Sequence, residues 1–138
     1  MKLTRRATLL MAMGTAAAAV LPFRASAAAE DAIATFTGGA TVGAGGLTLT
    51  APEIAENGNT VPISVDAPGA VSIAIFAVGN PTPDVAIFNF GALSGSQSAS
   101  TRIRLAGTQD VVAVAKMADG SFVQASQEVK VTIGGCGG

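Results

Sequence analysis

The chain has 138 residues, with 8 Lys and Arg against 9 Asp and Glu, a single Cys, and no His, Tyr or Trp. One cysteine excludes an intramolecular disulfide, and without His a four-ligand zinc or iron–sulfur centre cannot be built within one chain. The lack of His and Tyr also removes the usual general base and a common acid of enzyme catalysis.

Residues 1–27 form a targeting segment. Lys2, Arg5 and Arg6 make a positive start, Leu9 to Leu21 is uncharged and apolar, and Ala25-Ser26-Ala27 is a small-residue cleavage site. The apolar stretch falls short of the ~20 residues that span a bilayer. Arg5-Arg6, with Thr4 before them and Leu9 after, predict twin-arginine export of a folded protein. Thr8 stands where that signal usually has Phe, and a Sec signal leads to the same compartment. No cysteine near the cleavage site offers a lipid anchor, so a soluble periplasmic protein with no membrane attachment is expected. Cleavage after Ala27 leaves 111 residues with nine acidic and four basic side chains, a net charge of −5. Nucleic-acid binding, which draws on Lys and Arg at phosphates, has no basis in that balance.

Residues 28–46 are expected to be an N-terminal helix or flexible segment: a short helix or frayed arm from Ala28 to Phe36, then a glycine-rich loop from Gly38 to Gly46. Gly43-Ala44-Gly45-Gly46 lacks the following Lys-Ser/Thr and helix of a phosphate loop. Residues 47–133 carry a period of two. Leu47 to Thr50 and Val61 to Asp66 alternate in polarity, on either side of a turn at Glu56-Asn57-Gly58-Asn59. Val71 to Val78 is apolar on both faces, as in a covered central strand, and Asn80-Pro81-Thr82-Pro83 breaks the chain. Val85 to Phe90 and Thr101 to Leu105 follow. Val111 to Met117 and Phe122 to Ile133 flank the hairpin signal Asp119-Gly120. These six or seven short strands predict an all-β fold, a single antiparallel β-sandwich. Its expected interior is Ile63, Val65, Ile73, Ile75, Ile103, Leu105, Val112, Val114, Val129 and Val131. The last strand should turn Val129, Val131 and Ile133 inward. The strands Val71–Phe76 and Ala86–Phe90 hold more apolar surface than one sandwich face buries, which predicts an interface there.

Residues 134–138, Gly134-Gly135-Cys136-Gly137-Gly138, hold the only thiol. Glycines on both sides give it nothing to pack against, and five extended residues reach roughly 17 Å at about 3.3–3.6 Å each. A thiol on such an arm can be presented to another protein's active site. No cation or helix start adjoins Cys136 in sequence to depress its pKa, so the group suits a passenger better than a catalyst. Arg102 and Arg104 share one strand face, which reads as a solvated face before an anion site. No catalytic residue and no metal or cofactor site is expected.

The terminal Gly134-Gly135-Cys136-Gly137-Gly138 after Val129-Lys130-Val131-Thr132-Ile133 resembles the SoxY family of sulfur carriers. Pro52-Glu53-Ile54-Ala55-Glu56-Asn57-Gly58 with Val61-Pro62, Asn80-Pro81-Thr82-Pro83 and Ser100-Thr101-Arg102-Ile103-Arg104-Leu105 support it, as does the leader apart from Thr8. The resemblance implies an immunoglobulin-like sandwich that carries intermediates of thiosulfate oxidation covalently on Cys136, through a flexible arm of Gly134, Gly135, Gly137 and Gly138. It implies a heterodimer with a small β protein, SoxZ. The other implied partners are a c-type cytochrome complex that loads thiosulfate, a dimanganese hydrolase that releases sulfate and a molybdenum–haem sulfane dehydrogenase. Two further readings stand beside it: a periplasmic structural module joined by an intermolecular disulfide through Cys136, and a thiol redox enzyme. The second lacks a resolving cysteine.

Overall fold

The computed structural model describes residues 24–134. The leader before Arg24, and Gly135, Cys136, Gly137 and Gly138, lie outside the described residues. A helix, α1 (Arg24–Thr37), precedes nine strands: β1 (Val42–Ala44), β2 (Thr48–Thr50), β3 (Ile54–Asn57), β4 (Val61–Asp66), β5 (Ala70–Ala77), β6 (Asp84–Asn89), β7 (Ser98–Ile103), β8 (Gln109–Met117) and β9 (Phe122–Ile133).

The strands form two sheets. The larger has the order β1-β9-β8-β5-β6 with β3 also beside β9, and the smaller is β2-β4-β7. The β-sandwich read from the alternation is therefore present. Its long pairings are antiparallel, but β1 and β3 run parallel to β9. These two short strands lie where the sequence suggested a glycine loop and a turn. Both occupy the edge of β9 that β8 leaves free, with β1 at its start and β3 at its end.

The two central strands, β5 and β8, are buried on both faces for a definite reason. Ile73, Ile75 and Ala77 of β5, with Val111, Ala113 and Ala115 of β8, face the small sheet. There they pack with Val61, Ile63, Val65, Ile103, Leu105 and Val129. Ala74, Phe76, Val112 and Val114 face the other way, beneath α1. Val112 and Val114 are thus buried as expected, but under the helix and not between the sheets. In a strand covered on both sides, alternation cannot tell the two faces apart.

Of the two readings of Ala28 to Phe36, short helix or frayed arm, the structure has the helix. Ala29, Ala32, Ile33 and Phe36 follow helical spacing, and the last three pack over the second apolar cluster. The Phe36 ring meets Phe76 edge-on at 6.3 Å and Phe122 at 5.9 Å. Much of the apolar excess of β5 is therefore the seat of α1 and not a free interface. Val71 and Ile87 remain exposed on β5 and β6.

The β8–β9 hairpin turns at Asp119-Gly120 as the sequence predicts. Gly120 has φ 87°, a conformation that suits glycine. The Asp119 carboxylate accepts hydrogen bonds from the Ser121 Oγ at 2.6 Å and its N–H at 2.9 Å. These bonds favour the charged form and lower the Asp119 pKa below its usual 3.8.

Candidate functional site at the end of β9

The pairing registers put the starts of β4, β6 and β8 and the ends of β5, β7 and β9 at one end of the sandwich. The described chain ends there, at Gly134. Up to Val129, β9 is paired with β8, and Val129 is fully buried. Beyond it β9 runs on β3, with Ile54 opposite Lys130, Ala55 opposite Val131 and Asn57 opposite Ile133. Val131 is half-buried and Ile133 is 68% exposed. The strand was expected to turn Ile133 inward; instead it runs past the core before it ends.

Hydrogen bonds on two sides replace core packing at this exit. On one side Lys130 N–H donates to the Glu53 carbonyl at 2.9 Å, and Gly58 N–H donates to the Ile133 carbonyl at 2.8 Å. Thr132 Oγ1 reaches the carbonyls of Ala55 and Glu56 at 3.3 and 3.0 Å. On the other side Val131 N–H donates to Thr108 Oγ1 at 2.9 Å. Leu105 N–H donates to the Gly58 carbonyl at 2.8 Å, which ties the two sides together.

Gly134, assigned from sequence to the arm, is exposed but lies against the loop after β7. A Cβ placed on it would stand 2.5 Å from the Ala106 carbonyl oxygen. Cys136 follows two residues later in sequence.

Little else at this end can do chemistry. Arg102 and Arg104 are exposed, and Arg102 Nη1 donates to Thr60 Oγ1 at 3.4 Å, as befits a solvated strand face. Gly45 and Gly46 lead directly into β2, so the glycine cluster has no helix to complete a phosphate site. Among the described residues no three His, Cys, Asp or Glu side chains gather in a metal-binding group. No described helix is long and apolar enough to cross a membrane.

Sequence reasoning missed Thr108, Ala106, Asn80 and Gln109 around the exit. Asn80 was visible as part of a chain break and of a motif supporting the resemblance, without a role of its own, and nothing singled out the other three.

The family model for sulfur oxidation protein SoxY matches residues 33–136. The sulfur carrier protein SoxY from Chlorobium limicola f thiosulfatophilum is similar in structure, with a TM-score of 0.68 and 36% sequence identity. That match covers 78% of this chain and 94% of the other. A superoxide reductase (neelaredoxin) from Ignicoccus hospitalis aligns with a TM-score of 0.56 at 15% identity, covering 63% of this chain and 80% of that one. A putative superoxide reductase from Thermotoga maritima aligns at 0.52 and 19%, covering 62% and 84%. These two likenesses show the sandwich fold alone. No curated protein matches the sequence. With more than half its length matched by the family, and a carrier of the same fold at this identity, the chain belongs to the SoxY family and is a sulfur carrier of thiosulfate oxidation, not an enzyme.

Proposed function

We propose that Cys136 is the atom-level site of carriage: its thiol holds the sulfur intermediate while partner enzymes act on it. The observation that supports this most is the exit of β9, anchored by hydrogen bonds up to Ile133 and followed by five residues of which four are glycine. A rigid strand that ends in a side-chain-poor tether lets one thiol visit several catalytic centres without moving the domain. Thiosulfate is joined to Cys136 by oxidation: the thiol and the thiosulfate sulfane sulfur form an S–S bond. Two electrons leave to a c-type cytochrome acceptor, and the thiol proton goes to solvent. Hydrolysis of the terminal sulfone by a dimanganese partner then yields sulfate and leaves a persulfide on Cys136. A sulfane dehydrogenase is the proposed next partner for that sulfur.

Members of the Sox system are periplasmic and work with Sox partners such as SoxZ. The finer reading is a stable heterodimer with a SoxZ-like β protein, assembled before export by the twin-arginine route, with cleavage after Ala27 then leaving residues 28–138. The paired Arg5-Arg6 and the Ala25-Ser26-Ala27 sequence support that route.

The test is Cys136→Ser in a reconstituted thiosulfate assay with purified partners. The expected result is loss of thiosulfate-dependent sulfate formation with an unchanged melting temperature. Normal sulfate formation by the serine variant would overturn the assignment.

A further inference from the structure

We infer that Gly134 is a fixed exit point and not a swinging part of the arm, and that Asn80 is the positioning residue that sets this exit. The inference rests on the carrier reading for its functional meaning, but its geometry stands apart from the chemistry on Cys136.

Gly134 passes the Ala106 carbonyl so closely that a Cβ would lie 2.5 Å from the oxygen. Contacts below 3.0 Å are essentially never made by real Cβ atoms, and the obstacle here is backbone, which cannot rotate aside as a side chain would. Glycine is therefore required at 134 for close approach rather than for freedom. The residue before it, Ile133, has its carbonyl held by Gly58 N–H. Gly134 thus sits between an anchored carbonyl and the Ala106 oxygen.

The position of that oxygen is set from across the fold. Asn80, in the turn after β5, spans the loop between β7 and β8 with both ends of its amide. Its Nδ2 donates to the Arg104 carbonyl at 2.8 Å, and its Oδ1 accepts from Ala106 N–H at 2.9 Å. The same Oδ1 accepts from Gln109 Nε2 at 2.9 Å. Gln109 is itself buried, and its Nε2 also donates to the Gly107 carbonyl at 3.1 Å. Its Oε1 accepts from Gly79 N–H at 2.8 Å. A Cβ on Gly79 would stand 3.0 Å from the Gln109 Cβ, so the turn lies flush on this side chain. A network whose buried members are all satisfied holds one geometry. The loop cannot shift at Ala106 without breaking bonds to Asn80, and Thr108 in the same loop holds Val131 of β9. Asn80 therefore acts on the exit through Ala106 and Thr108, with no direct contact to Gly134 needed.

The test uses the mature protein in the assembly in which it purifies, spin-labelled at Cys136 and at a second cysteine introduced as Ser98→Cys. Ser98 is exposed at the start of β7, the opposite end of the sandwich. Pulsed dipolar spectroscopy reads the distance distribution between the labels, whether or not the thiol ever carries sulfur. Failure of this inference is thereby separable from failure of the carrier reading. Gly134→Ala should shift and broaden the distribution, whereas Gly135→Ala should leave it as in the parent. Asn80→Ala and Gln109→Ala should broaden it with both sheets intact by circular dichroism. Asn80→Asp, which keeps the acceptor for Ala106 N–H and Gln109, should broaden it less; should Asn80→Ala not fold, this variant and Gln109→Ala decide. Superimposable distributions for Gly134→Ala and the parent, or for the foldable Asn80 and Gln109 variants and the parent, would overturn the inference.

Discussion

Asn80 makes three hydrogen bonds with one amide, and a side chain used this way is costly to lose. Asn80→Ala leaves the part-buried Ala106 N–H without its partner, while Gln109 Nε2 keeps its bond to the Gly107 carbonyl, and one unpaired polar group costs about 1–3 kcal/mol when buried. We expect a loss of stability of about that size, seen as a lower urea midpoint at unchanged slope. Cys136→Ser should by contrast leave the midpoint where it was. The difference between these residues is also the difference between what sequence does and does not reveal. Cys136 stands out because it is the only thiol, set among glycines near the chain end. Asn80 and Gln109 are ordinary amides 29 positions apart, and only the closing of β5 against β8 brings them together. Gly134 misleads in a third way: one residue type serves both freedom and close approach, and composition cannot say which.

Among the elements, α1 shows how a weak pattern is settled by packing. Ala29, Ala32, Ile33 and Phe36 form a helical stripe, but two of the four are alanines, so the sequence left helix and frayed arm both open. Phe36 supplies its anchor through the rings of Phe76 and Phe122. Phe36→Ala should cost about 2–4 kcal/mol, below the ~3–5 typical of a fully buried Phe because the ring is only half-buried. Loss of α1 protection in hydrogen exchange, with the β-strands still protected, would locate the damage. The hairpin element carries a pH dependence. Hydrogen bonds from Ser121 lower the folded pKa of Asp119. Its contribution is therefore present above the unfolded value near 3.8 and is lost as pH falls through the lower folded value. Ser121→Ala should move the Asp119 titration back upward, as followed by carboxyl carbon chemical shifts. The strands other than β1 and β3 were legible because one-sided burial imprints a period of two. The face of β8 was not, because burial on both sides erases that imprint.

At the scale of the whole molecule, the sandwich holds in order the end at which the described chain stops, at Gly134. The loops after β5 and β7, the turn after β3 and the end of β9 all meet there, and the opposite end carries the β8–β9 hairpin. The exposed Ile87, in an open groove with Ala32, Phe36, Phe76 and Asp84, leaves apolar surface on the helix side of the large sheet, and Val71 is exposed near the start of β5. Under the heterodimer reading, size exclusion with light scattering of the native periplasmic protein should return the mass of two different chains. A pure monomer would contradict it. The most direct test of the account is intact-mass spectrometry of the protein taken from cells grown on thiosulfate. The account predicts sulfur-bearing adducts that are removed by reductant, map to Cys136 and are missing from Cys136→Ser. A protein that never carries added sulfur under these conditions, or that is found only as a disulfide-linked dimer, would contradict it.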